Sequence, residues 1–173
     1  MLLASCGRDE SDRVGDAVRR LSSMSELGTV EYTVRKVIKA DDSVWYKYGQ
    51  RKILFTGTAY LKAGIDMRGF GPENVRISDD ATGVTIILPA AKLLSFNMPP
   101  EQIRQEFSGV TGLRQAFTPE EKNAIQVQAE KEILAEIPNL GILSDAEDNA
   151  RLLFITMFSE LGYQNVTVKF EGK

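Results

Sequence analysis

Apolar positions at the start of the chain follow a helical period. Val14, Ala17, Val18, Leu21, Met24 and Leu27 recur three or four residues apart between Ser11 and Leu27, and Gly28 follows as a stop signal. The period then falls to two. Val30, Tyr32, Val34 and Ile38 alternate with polar residues, and so do Ile53, Phe55, Gly57, Ala59, Leu61, Ala63 and Ile65, which predicts two strands with one buried face each. Gly57, inside the second, signals a bulge or a close backbone approach. Val75–Ile77 and Val84–Leu88, separated by Asp79, Asp80 and Gly83, predict a hairpin that Pro89 ends. Between Ala90 and Gly112 the pattern is broken by Pro99 and Pro100; a short strand is expected before them and an irregular or briefly helical stretch after.

Two helices then carry start signals. Thr118-Pro119-Glu120-Glu121 offers a cap hydroxyl, a proline at the first helical position and a glutamate three residues after the cap, ahead of the stripe Ile125, Ala129, Ile133 and Ile137. Ser144-Asp145-Ala146-Glu147 repeats the box, and Ala150, Leu153, Phe154, Met157 and Leu161 continue to a stop at Gly162. Leu152, Ile155 and Phe158 fall outside that stripe, so this helix is apolar over more than half its circumference, which suits a helix sandwiched in the core. Val166, Val168 and Phe170 predict a last strand that rejoins the sheet. Strands, then helices, then a returning strand give an α+β fold, a mainly antiparallel sheet with helices packed on one face. The chain divides into a start over residues 1–10, an amino-terminal helix over 11–28 and a single α+β domain over 29–173.

Composition narrows the chemistry. The 173 residues are 43% hydrophobic and 26% charged, which excludes disorder, and no apolar run reaches the roughly 18 residues of a membrane-spanning helix. There is no histidine and one cysteine, Cys6, so Ser-His-Asp and Cys-His nucleophile pairs, an internal disulfide and an iron–sulfur cluster are all excluded. No cofactor and no metal site is expected. The net charge of -3 opposes a nucleic-acid partner. It hides an asymmetry: Thr29 to Asp66 holds seven basic and four acidic residues, and Thr118 to Lys173 five basic and ten acidic.

Cys6 sits in the tetrapeptide Leu3-Ala4-Ser5-Cys6, an aliphatic residue and two small ones before a cysteine, which matches the box read by the bacterial lipoprotein pathway. Small side chains let a peptidase approach the backbone, and the thiol accepts the lipid. Only Met1 and Leu2 precede the box in place of a basic start and an apolar core, but its position at the edge of the fold and the hydrophilic tether Gly7 to Ser11 favour acylation over a stray thiol. The expectation is a protein held to a membrane through a lipid on Cys6, each buried methylene contributing about 0.8 kcal/mol.

The segments Val30-Glu31-Tyr32-Thr33-Val34, Lys36-Val37-Ile38-Lys39-Ala40, Arg51-Lys52-Ile53-Leu54-Phe55, Ala63-Gly64-Ile65-Asp66, Val84-Thr85-Ile86-Ile87-Leu88-Pro89 and the helix with Asn123-Ala124 and Gln128-Ala129-Glu130 resemble, in that order, the bacterial family called domain of unknown function 4230. The resemblance covers roughly Thr29 to Phe170. Ala90 stands where the family often has a second proline. The resemblance implies an envelope protein with an amino-terminal anchor; it brings no activity and no catalytic residues.

Among local clusters, Trp45, Tyr46, Tyr48, Arg51 and Lys52 form the candidate binding surface, because aromatics interleaved with cations stack on sugars or settle at a lipid headgroup layer. The plainer alternative has the rings cover the hairpin end and the cations guard the sheet edge. Without histidine, acid/base chemistry falls to carboxylates: Asp41-Asp42 and Asp79-Asp80 in turns, and Asp66 at a strand end, where capping the next turn is its ordinary role. Gly69-Phe70-Gly71-Pro72 lacks the lysine and helix of a phosphate cradle. The expectation is a non-enzymatic, lipid-anchored envelope domain that binds or scaffolds an envelope protein or glycan. The alternatives are a carboxylate-dependent glycan hydrolase and an oligomeric scaffold assembling through the last helix, which requires Leu152, Ile155 and Phe158 to be exposed.

Overall fold

A computed structural model of the protein describes residues 10–42, 48–113 and 115–172. In chain order the elements are α1 (Glu10–Ser22), β1 (Glu26–Asp42), β2 (Arg51–Asp66), β3 (Val75–Ile77), β4 (Gly83–Leu88), β5 (Lys92–Asn97), β6 (Ile103–Val110), α2 (Pro119–Glu136), α3 (Ile142–Glu160) and β7 (Asn165–Phe170). The fold is α+β, as the order of periods predicts. It has two sheets where one was expected. One has the order β1-β2-β5 with β6 also pairing β2; the other has the order β3-β4-β7. In the second sheet β3 pairs antiparallel with β4, and β7 pairs parallel with it. A parallel pair needs a crossover connection, and here everything from β5 to α3 intervenes.

The chain forms two compact units, Met1–Val30 with Ala63–Leu94 and Leu143–Lys173, and Glu31–Lys62 with Ser95–Ile142. In the first, Val14, Val18 and Leu21 of α1 join Ile65, Val84, Ile86, Leu88, Ala150, Phe154, Phe158, Val168 and Phe170 in one core. Phe154 stacks on Phe158 at 6.2 Å between ring centroids and meets the edge of Phe70 at 5.8 Å. Each such aromatic side chain contributes about 1.5–3 kcal/mol by leaving water. α1 ends at Ser22, earlier than expected, and Gly28 lies inside β1 at φ +63, where a Cβ would come within 2.8 Å of Ala150 Cβ. Gly28 is therefore a point of close approach to α3 and not a helix stop, and Leu27 is buried as a strand residue. α3 begins at Ile142, two residues before the expected cap at Ser144, after Gly141 at φ +78. Phe158 is fully buried and Leu153 is 43% exposed, so the buried side of α3 is rotated from the expected stripe.

In the second unit, β1 and β2 alternate as expected. Ile38, Ile53, Phe55, Ala59 and Leu61 are buried with Ala129, Ile133 and Ile137 of α2 and its end, while Arg35, Val37, Lys39 and Lys52 are exposed. The expected capping box forms: Thr118 Oγ1 accepts from the Glu121 amide at 3.2 Å, and a Glu121 carboxylate oxygen accepts from the Thr118 amide at 2.8 Å. Gly57 is a close approach, with a Cβ there 2.7 Å from Met98 Cε. The bulge lies nearby instead: the β2–β6 register runs Leu54↔Phe107 and then Phe55↔Gln105, leaving Glu106 as the extra residue. The expected irregular or briefly helical stretch after Pro99 and Pro100 is a single 3-10 turn over Pro100–Gln102, and β6 corrects the rest of that expectation. Five consecutive positions from Arg104 to Ser108 are exposed, so the strand shows no apolar alternation; it forms because β2 offers it an edge.

Candidate functional site

The candidate surface divides when the chain folds. Arg51 and Lys52 are adjacent on β2 and so face opposite ways. Arg51 turns toward α2: its Nη1 and Nη2 donate to the two carboxylate oxygens of Glu121, each at 3.0 Å, and its guanidinium lies 4.5 Å from the centre of the Phe117 ring. At the other end of α2, Lys36 pairs with Glu136 and, at 3.7 Å, with Glu132. Glu136 raises the Lys36 pKa above the usual lysine value. These two cations fasten α2 to one face of the sheet.

Lys52 points to the other face, where its Nζ is 3.5 Å from Asp41 Oδ2. Tyr48 is 80% exposed, and its carbonyl accepts from the amide of Leu113, which is 90% exposed. Trp45 and Tyr46 lie outside the described residues, as does Cys6.

The face bearing Lys52 is open. β1 contributes Arg35, Val37, Lys39 and Asp41, β2 contributes Lys52, Leu54, Thr56 and Thr58, and β6 contributes Arg104, Glu106 and Phe107. Two grooves cross it. One, of about 390 Å³, is bordered by Arg35 and Val37 on β1, by Gln102 just before β6 and by Arg104 and Glu106 on β6, with Thr56 and Thr58 of β2 between. The other, of about 360 Å³, runs between Lys39, Lys52, Leu54 and Phe107. Among the described residues, Arg35, Lys39 and Arg104 make no ion pair. The sequence reading missed Arg35 and Arg104 because β6 was not legible as a strand. Arg35 and Lys39, two exposed cations four residues apart on β1, were the available signal.

The carboxylates are placed less promisingly for acid catalysis. Asp66 accepts from Arg68 Nε at 2.9 Å, from Arg68 Nη2 at 2.7 Å, from the Arg68 amide at 3.1 Å and from Lys92 Nζ at 2.6 Å. The Arg68 guanidinium, then Lys92, hold its carboxyl well below the usual carboxylate range. A group so held keeps no proton to donate near neutral pH. It caps the turn that follows β2, beside a groove of about 330 Å³. Asp80 accepts from Ser78 Oγ, the Thr82 amide and Thr82 Oγ1, and these bonds, Ser78 foremost, lower its pKa while closing the β3–β4 turn. Asp41 is the partner of Lys52.

Of the last-helix trio, Leu152 is 65% exposed, Ile155 is half-buried and Phe158 is core, so these side chains do not form one exposed stripe. Among the described residues no three acidic or cysteine side chains are grouped to hold a metal ion, and no helix is long and apolar enough to cross a membrane. A family model described as a protein of unknown function (DUF4230) matches residues 19–168. No curated protein and no solved structure matches the chain.

Proposed function

The chain belongs to the DUF4230 family, and from that footing we propose that it is a non-enzymatic, lipid-anchored domain of the bacterial cell envelope that holds an envelope protein or glycan across the open face of its sheet. The observation that carries the reading is that face. One side of the sheet in the second unit is covered by α2, and the other presents cations, threonines and the exposed rings of Phe107 and Tyr60, with no helix or strand of the same unit over it among the described residues. A covered face builds a core; an uncovered one with mixed apolar and hydrogen-bonding character suits a ligand. The anchoring half of the reading rests on Leu3-Ala4-Ser5-Cys6 followed by a hydrophilic tether. A lipid at Cys6 places the domain at a membrane surface and leaves the sheet free to bind. The binding half is favoured over hydrolysis because Asp66, the carboxylate at the strand end, is consumed by Arg68 and Lys92.

The test is intact-mass analysis of the product of the full-length gene expressed in its native host. The expected result is a diacylglycerol-modified amino-terminal Cys6 in the membrane fraction. An unmodified Cys6 in the soluble fraction overturns the anchoring.

A further inference from the structure

We propose that the groove between Arg35 and Arg104 binds an anionic group, a carboxylate or phosphate carried on a glycan chain. The proposal rests on the open face being the binding surface and not on acylation of Cys6. Arg35 comes from β1 and Arg104 from β6, two of the three strands that pair with β2, and both side chains line one groove. Thr56, the register partner of Arg104, and Thr58, which is 8% exposed, form the strand between them. Two like charges facing one groove repel, and an anion bound between them offsets that repulsion. Lys36, Arg51, Lys52, Arg68 and Lys92 all have carboxylate partners; Arg35 and Arg104 have none among the described residues. The guanidinium fork matches the two oxygens of a carboxylate or phosphate, and the threonine hydroxyls between two such forks add donors.

The surroundings choose a glycan over a bare ion. The groove is an open furrow and not a closed cavity, and it continues on the same face past Lys39 and Lys52 to Phe107, which is 55% exposed. Arg35 and Lys39 lie four residues apart on β1, about 13 Å along a strand. Cations at such intervals, beside exposed apolar side chains such as Val37 and Phe107 that can lie against sugar rings, suit a chain with charges at intervals. Glu106, the bulged residue, is the carboxylate at the groove and opposes the ligand.

The experiment uses the whole chain as its Cys6→Ser variant, so that lipid plays no part, labelled for amide chemical-shift mapping. It is titrated with oligogalacturonate, with a phosphomannan oligosaccharide, with uncharged maltotriose and with polyglutamate. Expected is saturable movement of the amides of Arg35, Thr56, Thr58 and Arg104 with the carboxylate or the phosphate oligosaccharide, whichever bears the fitting anion, and none with maltotriose. Arg35→Gln and Arg104→Gln each weaken that binding about tenfold or more. Glu106→Gln strengthens it, a gain that damage to the fold does not produce, and Arg76→Gln on β3 leaves it unchanged. The proposal is overturned if neither anionic glycan moves those amides, if maltotriose or polyglutamate binds as tightly, or if the Arg35→Gln, Arg104→Gln double variant, unfolding at the wild-type temperature, binds as before.

Discussion

Arg51 holds Glu121 by both of its terminal nitrogens, and the same carboxylate closes the capping box on Thr118. One side chain thus starts α2 and ties its first turn to β2. Arg51 is mostly buried, and its flat guanidinium rests on Phe117, so the pair is better ordered than an exposed ion pair.

Arg51→Ala is therefore expected to cost about 1–2 kcal/mol in chemical denaturation. Glu121→Gln keeps a side-chain acceptor for the Thr118 amide and loses only the charge, so it costs less than Glu121→Ala, which loses both. Equal midpoints for the two Glu121 variants show that the cap contributes nothing.

Gly28→Ala and Gly15→Ala act in opposite directions. At Gly28 the added methyl meets Ala150 Cβ at 2.8 Å on a backbone at φ +63, and a loss of about 1–3 kcal/mol is expected. At Gly15, inside α1, nothing lies within 4 Å, and alanine is expected to stabilise by about 0.5–1 kcal/mol. Thermal unfolding of the two variants measures both signs.

Asp66 makes stability depend on acid. Its pKa is lower in the folded chain than the unfolded value near 3.9, so its contribution is present in full above about pH 4 and is lost as pH falls toward the folded value. The stability difference between the wild type and Asp66→Asn is expected to be constant from about pH 5 to 8 and to shrink below about pH 4. Denaturation midpoints across that range check it; a difference that instead grows on acidification overturns the assignment.

Phe158 and Leu152 distinguish core from surface on α3. Phe158→Ala is expected to cost about 3–5 kcal/mol, because it removes a fully buried ring packed on Phe154 and Tyr163 and the core around it relaxes only in part. Leu152→Ala is expected to stay within about 0.5 kcal/mol of the wild type and to leave the sedimentation coefficient unchanged.

Where one face of an element is buried and the other wet, the sequence displayed it: β1, β2, the β3–β4 hairpin and the cap of α2 were all legible from period and turn chemistry. β6 was not, because its stability comes from hydrogen bonds to β2 and not from a buried face of its own. Gly28 was misread because a glycine after a helical run looks the same whether it ends a helix or admits a neighbour, and only the approach of Ala146 and Ala150 decides. The candidate site suffered from the same blindness. Arg51 and Lys52 are neighbours in the chain and belong to opposite faces, while Arg35 and Arg104 are far apart in the chain and border one groove.

The parallel ladder between β4 and β7 also sets a timetable. Every residue of the second unit has been synthesised by Ile142, whereas the first unit requires residues on both sides of it, and β4 keeps one edge without its partner until Asn165–Phe170 has been made. Contacts of such sequence separation close late and slowly. During that interval the nascent chain carries an apolar strand, Val84, Ile86 and Leu88, with a vacant row of amides and carbonyls, and it is then that it most needs shielding from its neighbours.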